Sequence, residues 1–332
     1  MQGSSQPLLR FEGVTIATRG SDSSRVLVSD VDLHVSAGEA LGIVGESGSG
    51  KSLTALSVAG LLPSGVALSS GRISFEGKVL TELPDSALHR LRGKQISYVF
   101  QDPLTALNPT ITIGRQITDV LSQHVGGSRK TLKRGAIEIL SRLGIADAEK
   151  RVRSYPHQLS GGMRQRVLIA LAMVCKPRIL IADEPTTALD VTVQAKILEL
   201  FRAIRTTGIS LIFISHNIDV VLEFCDRVVV MYGGRVMEVG TAEEIGMAAR
   251  HPYTQALLEC VPRLGTNLER LRVIDGQPPG AQETLSGCPF SNRCPRALGR
   301  CHSEMPLSQQ ASPTSSFSCW NPAPTLAAAS AS

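Results

Sequence analysis

The sequence predicts an α/β protein whose parallel sheet is covered by helices on both faces. Short apolar runs, typical of buried strands, alternate with segments of helical periodicity. Buried strands are predicted at Ala40–Val44, Ile179–Ala182 and Ser210–Ile214, and helices at Lys51–Leu62 and Val191–Arg205. In addition, 42% of the 332 residues are hydrophobic but only 4% are aromatic. The core must therefore be aliphatic, as in parallel sheets rich in Val, Ile and Leu.

Further segments extend this alternating pattern along the chain. Leu8–Val35 predicts short strands interrupted by a polar loop at Arg19–Ser24. Other strands are predicted at Arg72–Val79 and Ile96–Phe100, and other helices at Ile113–Leu121, Leu132–Leu143 and from about Gly161 to Val174. After His251, prolines, glycines and cysteines dominate, and the Ala/Ser/Pro tract 321–332 predicts a disordered tail.

Charge, hydropathy and cysteine usage limit the classes of protein that the chain can represent. The net charge of +5 and the sequence pI of about 8.9 are weak over this length and do not argue for nucleic-acid binding. No run reaches the roughly 18 apolar residues of a membrane span, and Met1–Pro7 lacks the pattern of a signal peptide. Seven cysteines, an odd number, fit a reducing cytosol better than a disulfide framework. We therefore expect a soluble or peripheral protein.

A glycine-rich loop between a predicted strand and a predicted helix matches the phosphate-loop pattern G-x-x-x-x-G-K-[ST]. The loop consists of Gly45, Glu46, Ser47, Gly48, Ser49, Gly50, Lys51 and Ser52. Its glycines allow backbone N–H groups to approach phosphates closely, and the following helix adds a partial positive charge. We expect Lys51 to reach the β- and γ-phosphates of ATP and Ser52 to ligate Mg²⁺.

Polar residues at three other strand ends supply candidates for the metal and water chemistry. Asp183 and Glu184 follow an apolar strand, so Asp183 is expected to bind Mg²⁺ and Glu184 to polarise the attacking water. Gln101 ends the strand Ile96–Phe100, where its amide could contact Mg²⁺ or the water. His216 follows another buried strand, from which it could reach the γ-phosphate. Without other evidence, a purely structural role for Gln101 or His216 explains its position as well as a functional role does.

The run from Leu159 to Gln165, Leu-Ser-Gly-Gly-Met-Arg-Gln, resembles the signature motif of ABC ATPases, with Met163 in place of the usual Gln. The motif order also matches that family, and the resemblance covers Leu8–Leu264. It implies a nucleotide-binding domain over residues 1–250 with a P-loop NTPase (RecA-like) core. An antiparallel β subdomain and a helical signature subdomain, at about 103–168, would complete this domain.

The resemblance also implies that two cassettes pack head to tail. Ser160, Gly161 and Gly162 would then bind ATP held by the partner, and Asp190 would lie at the interface. The sequence departs from the family in one respect, because Thr15–Val31 lacks the aromatic residue that usually stacks on adenine. Thr18 falls near that place, and a missing stack would weaken ATP binding by about 1 kcal/mol.

Three segments resemble oligopeptide/dipeptide importer ATPases. They are Gln101–Pro109 with Ile113 and Gly114, His251–Thr254 with Leu257 and Leu258, and Gly287–Pro295 with Cys301 and Cys319. Residues 251–320 would be their C-terminal extension. The resemblance implies a D-type ATPase subunit at the cytoplasmic face of the membrane. Its partners would be a second, related ATPase subunit, two permease subunits whose coupling helices contact Pro103–Gly114, and an extracytoplasmic solute-binding protein, with no nucleic acid.

Two alternatives to a peptide importer remain. Nickel and other small-solute importers share this architecture, so the solute stays open. A soluble ABC ATPase acting on DNA or ribosomes belongs to another class. Such proteins carry two cassettes or a long coiled-coil insertion, whereas only about a hundred residues, without heptads, separate Ser52 from Leu159.

Four cysteines, Cys288, Cys294, Cys301 and Cys319, lie in a short Pro-rich segment that has little core and needs a covalent or metal link. Their spacing, C-x5-C-x6-C-x17-C, matches neither common zinc nor ferredoxin spacings. The family resemblance implies a [4Fe–4S] cluster on these four residues, while zinc and unligated thiols remain alternatives. The other cysteines, which lie in apolar surroundings and are interpreted as core residues, are Cys175, Cys225 and Cys260.

Overall fold

A computed structural model describes residues 6–20, 24–187, 189–261, 273–280 and 286–325. The chain forms two compact units, the first from Met1–Glu82 with Phe213–Ser332 and the second from Leu83–Ile212. The strands are β1 (Leu9–Thr18), β2 (Val26–Val35), β3 (Ala40–Val44), β4 (Val66–Phe75), β5 (Lys78–Val79), β6 (Ile96–Val99), β7 (Ile179–Asp183), β8 (Ser210–Ser215), β9 (Arg227–Tyr232), β10 (Arg235–Thr241), β11 (Gln309–Gln310) and β12 (Ser316–Phe317). The helices are α1 (Lys51–Val58), α2 (Asp85–Leu91), α3 (Pro103–Ala106), α4 (Ile113–His124), α5 (Arg129–Arg142), α6 (Ala148–Arg151), α7 (Gly161–Met173), α8 (Val191–Arg205), α9 (Ile218–Phe224), α10 (Ala242–Ala248) and α11 (Pro252–Glu259).

The first unit contains an antiparallel sheet in the order β2-β1-β4-β5. Leu9 on β1 lies opposite Val35 on β2 and Phe75 on β4, and all three side chains are buried. The single strand predicted over Arg72–Val79 was wrong, because a two-residue turn at Glu76–Gly77 separates β4 from β5. Both turn residues have positive φ, 49° and 76°, the backbone of a tight hairpin turn.

The same unit also contributes strands in the order β11-β12-β10-β9-β3 to a second sheet. Strands β3 and β9 run parallel, with Leu41 opposite Arg227, and β9 pairs antiparallel with β10. All five residues of β3 and the run Val228–Tyr232 are buried. Continuous aliphatic runs of this kind are typical of strands covered on both faces. Strand β8 crosses from the second unit into the first.

In the second unit, β6 and β7 pair in parallel, from Ile96 opposite Ile179 to Val99 opposite Ala182. The bounds predicted for α8 are confirmed, and its N-terminus is capped by the Asp190 carboxylate. Helix α5 begins three residues earlier than predicted, because Ser128 caps it by accepting a hydrogen bond from the Thr131 amide.

After α10, the helix α11 was not predicted from the sequence. His251 caps it through Nδ1, which accepts a hydrogen bond from the Tyr253 amide, and Pro252 occupies its first turn. Further on, the Ala323 amide donates to the Arg250 carbonyl, while residues 326–332 of the predicted tail lie outside the described residues. None of the helices in the described ranges is long and apolar enough to cross a bilayer.

Candidate functional site

In the first unit, the glycine-rich loop connects β3 directly to α1, as the phosphate-loop pattern requires. Gly50 precedes the helix with φ 97°, a left-handed conformation that suits glycine. A side chain at Gly45 would place Cβ only 2.1 Å from the backbone oxygen of Met231 on β9. The loop is therefore packed against the neighbouring strand so closely that its first position admits no side chain.

Lys51 is held inside this loop and is only 4% exposed. Its ammonium group donates to the carbonyl oxygens of Gly45 at 2.7 Å and Glu46 at 2.8 Å, and to Ser49 Oγ at 3.4 Å. These contacts keep the charge of Lys51 next to the N-terminus of α1, where backbone N–H groups also favour an anion. Ser52 is the second residue of α1.

In the second unit, Asp183 ends β7 and is 6% exposed. Tyr98 on β6 donates its hydroxyl to Asp183 Oδ2 at 2.6 Å. Burial, and then the neighbouring Asp183 charge, raise the pKa of Tyr98 well above its usual value, so the phenol keeps its proton. The Asp183 side chain is thus held in place by a hydrogen bond from the neighbouring strand β6.

Glu184 lies next to Asp183 and is contacted by two polar side chains. Gln101 Nε2 donates to Glu184 Oε2 at 3.1 Å, and Thr187 Oγ1 donates to the same oxygen at 2.9 Å. Glu184 has a φ of 45°, unusual for a residue with a side chain and a frequent feature of functional positions. The second unit therefore brings together two of the residues predicted for water chemistry, Gln101 and Glu184.

The signature residues form the first turn of α7. Ser160 caps this helix by accepting a hydrogen bond from the Met163 amide, and both Ser160 and Gly161 are exposed. A side chain at Gly162 would place Cβ 2.7 Å from Val193 on α8. Asp190 caps α8 by accepting from the Val193 amide at 2.9 Å. An exposed helix N-terminus whose first two residues are glycines suits a phosphate.

Two further residues named in the sequence analysis, His216 and Thr18, lie at the ends of strands. His216 is exposed just after β8, and Thr18 at the end of β1 accepts a hydrogen bond from the Arg25 amide through its hydroxyl. Sequence reasoning missed Tyr98 and Thr187 as partners of the two carboxylates. A tyrosine within a short predicted strand could have indicated the first, since aromatic residues are scarce in this chain.

The four cysteines of the C-terminal segment line one small cavity, with room for about one water molecule. All seven cysteines of the chain are free thiols, and Cys225 packs against Gly42 in the core. In the part of the chain that the structure describes, no group of three or more His, Cys, Asp or Glu side chains is placed to hold a single metal ion. Burial, together with the neighbouring thiols, raises the pKa of Cys288 to about 12 and that of Cys319 to about 11.

His251 lines the same cavity and is fully buried. Burial lowers its pKa to about 3, so the imidazole is neutral. Nδ1 accepts from the Tyr253 amide, which puts the proton on Nε2. Nε2 is buried and has no hydrogen-bond partner among the described residues. A buried donor without a partner is costly.

Two family models match the chain. Residues 28–187 match the model described as "ABC transporter", and residues 237–301 match "Oligopeptide/dipeptide transporter, C-terminal region".

Several known proteins are similar to the chain over most of its length. It is 47% identical over 309 residues to the dipeptide transport ATP-binding protein DppD of Bacillus subtilis, covering 92% of both chains. It is 46% identical over 296 residues to the oligopeptide transport ATP-binding protein OppD of Haemophilus influenzae, covering 89% of this chain and 91% of that protein. Among solved structures, the dimeric bacterial ABC transporter cassette MJ0796 has a TM-score of 0.64 and 27% identity, covering 70% of this chain and 98% of the cassette. CbiO1 of Clostridium perfringens has a TM-score of 0.62 and 28% identity, covering 73% of this chain and 91% of that one.

Proposed function

The chain belongs to the ABC transporter family of ATP-binding proteins, and we propose that it hydrolyses ATP to power the import of di- and oligopeptides across the cytoplasmic membrane. One observation carries this proposal: a single chain combines the ABC cassette with the C-terminal region of oligopeptide/dipeptide transporters. The relatives named for dipeptide and oligopeptide transport support the same solute class.

In this proposal, the loop Gly45–Ser52 binds the phosphates of ATP. Backbone N–H groups at the start of α1 and the ammonium group of Lys51 neutralise the negative charge. Lys51 exchanges its intraloop hydrogen bonds to the carbonyl oxygens of Gly45 and Glu46 for phosphate oxygens. Thr18 stands near the place where the family has an aromatic residue that stacks on adenine. Because this stacking is missing, the contacts to the phosphates supply most of the affinity for ATP.

Hydrolysis needs a metal ion and a positioned water. Ser52, Asp183 and Gln101 would hold Mg²⁺, which neutralises phosphate charge. Glu184 accepts a proton from the attacking water while the water oxygen bonds to the γ-phosphorus and the bond to ADP breaks. Gln101, which contacts Glu184, orients that water. We propose that His216 contacts the γ-phosphate.

A second ATPase subunit completes each nucleotide site. The exposed first turn of α7, with Ser160, Gly161 and Gly162, binds the phosphates of ATP held by the partner. Asp190, exposed at the start of α8, lies at the interface between the two subunits. The dimeric state of a cassette with a similar fold supports this arrangement.

The permeases are proposed to dock on a cavity of about 540 Å³ in the second unit. Thr112 and Gly114, at the end of the segment Pro103–Gly114, line this cavity. Its other lining residues include four cations, Arg115, Arg129, Lys133 and Arg153. Only Arg115 has a carboxylate partner among the described residues, Asp119 at 2.7 Å, so the cavity suits a helix with acidic or C-terminal character.

The test is solute uptake by cells that lack this gene and carry either the wild-type gene or Lys51→Ala. We expect wild-type cells alone to accumulate labelled di- and oligopeptides. Restored uptake of Ni²⁺ instead would identify the small-solute importer. If cells with Lys51→Ala grow and take up every solute normally, and no permease co-purifies with the protein, the protein is a soluble ABC ATPase.

We also propose that the four C-terminal cysteines hold a [4Fe–4S] cluster. The convergence of four thiols on one cavity supports this proposal. So does the buried Nε2 of His251, which lacks a hydrogen-bond partner within the described ranges. Each thiolate of such a cluster binds a different iron, so the sulfur atoms lie farther apart than around one zinc ion. The cavity would have to widen to admit the cluster.

Anaerobically purified protein should then be brown, with broad absorbance near 400 nm, as expected for cluster-bound thiolates. Cys288→Ser should remove both iron and colour, whereas Cys175→Ser, outside the segment, should retain them. Colourless protein with stoichiometric zinc would show that the four cysteines bind zinc instead. Protein without any metal would show that the four thiols are unligated.

A further inference from the structure

Glu46, the second residue of the phosphate loop, is contacted by the C-terminal part of the same unit through two of its groups. Its carboxylate pairs with Arg293, with Nη1 at 2.7 Å from Oε2. Its backbone N–H donates to the Tyr253 hydroxyl at 2.9 Å. Its carbonyl oxygen accepts from Lys51 at 2.8 Å. Glu46 therefore links the phosphate-binding lysine to residues more than two hundred positions away in the chain.

Arg293 is held rigidly for this contact and its side chain is only 6% exposed. Nη1 also donates to the Tyr232 hydroxyl at 2.9 Å, Nη2 to the Ile274 carbonyl at 2.9 Å, and Nε to the Asp275 carbonyl at 2.8 Å. A planar guanidinium with all three nitrogens engaged has one orientation. It is also adjacent in sequence to Cys294, one of the four cavity-lining cysteines.

A cluster of aromatic rings packs against Arg293 and restricts its position. The ring of Tyr232, at the end of β9, lies 4.5 Å from that of Tyr253 on α11 and 5.3 Å from that of Phe290. Arg293 Cζ lies 5.7 Å from the Tyr232 ring centroid. These rings join the strand beside the phosphate loop to the cysteine segment, so a displacement of that segment would move Arg293.

We propose that Arg293 is a positioning residue for ATP binding, which neutralises and restrains the Glu46 carboxylate so that the loop accepts phosphates. The inference rests on the proposed binding of ATP to this loop. An unpaired carboxylate in a phosphate-binding loop repels the negative charge of ATP. The C-terminal segment thereby sets the nucleotide affinity of the loop without contacting the nucleotide.

The test compares nucleotide affinities of three variants of the full chain, measured with a fluorescent ATP analogue and Mg²⁺. Arg293→Gln should weaken binding about tenfold, since it leaves Glu46 charged and unpaired. Glu46→Gln should bind more tightly than Arg293→Gln, because it leaves no unpaired negative charge beside the phosphates. The double variant Arg293→Gln with Glu46→Gln should bind at least about threefold more tightly than Arg293→Gln, because it removes the unpaired charge.

Recovery in the double variant is the readout that a merely structural role would not produce. If the double variant binds as weakly as Arg293→Gln or more weakly, or if Arg293→Gln binds like wild type, the proposal is overturned. Arg300→Gln is the matched control in the same segment, since Arg300 lies over Trp320 and does not contact the loop. A tenfold loss in that control would also overturn it, by showing a general effect of losing an arginine.

Thermal unfolding and iron content measured on the same samples exclude misfolding and cofactor loss as the cause of the Arg293→Gln effect. Failure of this inference is distinct from failure of the proposed function. If wild type binds ATP and Lys51→Ala does not, the loop functions as proposed, and only the role of Arg293 is then at stake. If wild type itself does not bind ATP, the proposed function fails first.

Discussion

The phosphate loop of the first unit and the acidic strand end of the second unit are fixed in different ways. Backbone groups fix the loop: the Gly234 amide donates to the Ser49 carbonyl, and Gly45 lies against the backbone of Met231. Side chains fix the strand end, where Tyr98 holds Asp183. Gln101 and Thr187 likewise hold Glu184.

This difference predicts different responses to substitution. A backbone-built site fails when a side chain is added, because neighbouring backbone cannot move aside. A site built from side-chain hydrogen bonds loses one partner at a time, and each loss costs a limited amount. The comparison is sharpened by substitutions that change one kind of contact and leave the other intact.

Gly45→Ala should have the largest effect. The added Cβ would lie 2.1 Å from a backbone oxygen, so we expect destabilisation of about 3–4 kcal/mol and loss of ATP binding. Gly48→Ala is the matched control, because no atom lies within 4 Å of the position that its Cβ would take and only its φ of 78° opposes a side chain. It should cost about 1 kcal/mol. Urea unfolding measures both, and equal effects would contradict a loop defined by close backbone packing.

Lys51→Ala should weaken ATP binding about a hundredfold, since it removes a charge-assisted contact to phosphate. Equilibrium binding of a fluorescent ATP analogue measures the change. Lys196→Ala, on the exposed surface of α8, should bind like wild type. A loss below threefold for Lys51→Ala would show that backbone groups alone hold the phosphates.

Tyr98→Phe should destabilise the protein by about 2 kcal/mol, because Asp183 loses its buried hydrogen-bond donor. Tyr155→Phe is the control, since its ring is exposed and stacks on His157. Urea unfolding of both variants decides the point. Equal stabilities would mean that β7, and not Tyr98, holds the Asp183 carboxylate.

The cysteine segment gives the smallest predicted effect per residue, a dependence of stability on pH. The folded pKa values of Cys288 and Cys319, about 12 and about 11, exceed the ordinary value of 9.0 because of burial and the neighbouring thiols. The unfolded chain therefore loses these protons first, and the stabilisation present below pH 9 disappears as the pH rises towards 11–12.

In metal-free protein this loss should reach about 1 kcal/mol per thiol at pH 10. Urea unfolding at pH 8 and pH 10 measures it, with the double variant Cys288→Ser and Cys319→Ser as reference. A fall in the free energy of unfolding that is no larger in wild type than in the reference would show that the thiols ionise freely.

Local features of both regions could be predicted from the sequence, and distant contacts could not. The order β3, loop, α1 follows from a continuous motif, because backbone conformation there depends on adjacent glycines. The pairing of Tyr98 with Asp183 joins residues 85 positions apart, and that of Arg293 with Glu46 joins residues 247 apart. Neither pairing joins residues of the same sequence motif, so both contacts become visible only once the strands and segments have packed.

Hairpin and helix ends were also hard to predict. Two-residue hairpin turns usually have Asn or Asp before glycine, whereas this turn is Glu76–Gly77 with positive φ at both residues. For this reason β4 and β5 were merged into one predicted strand. Helix α11 escaped prediction because it is short and lies in a Pro-rich context. Its cap is a histidine, whose Nδ1 replaces the more common hydroxyl or carboxylate.

The most direct test of the account separates ATP binding by the loop from hydrolysis at the acidic strand end. For this test we choose Glu184→Gln, with Glu199→Gln on the exposed surface of α8 as the control. The account predicts that Glu184→Gln binds ATP with wild-type affinity, retains it unhydrolysed in a closed dimer, and turns over at least about a hundredfold more slowly. Turnover near the wild-type rate, or ADP as the retained nucleotide, would contradict it.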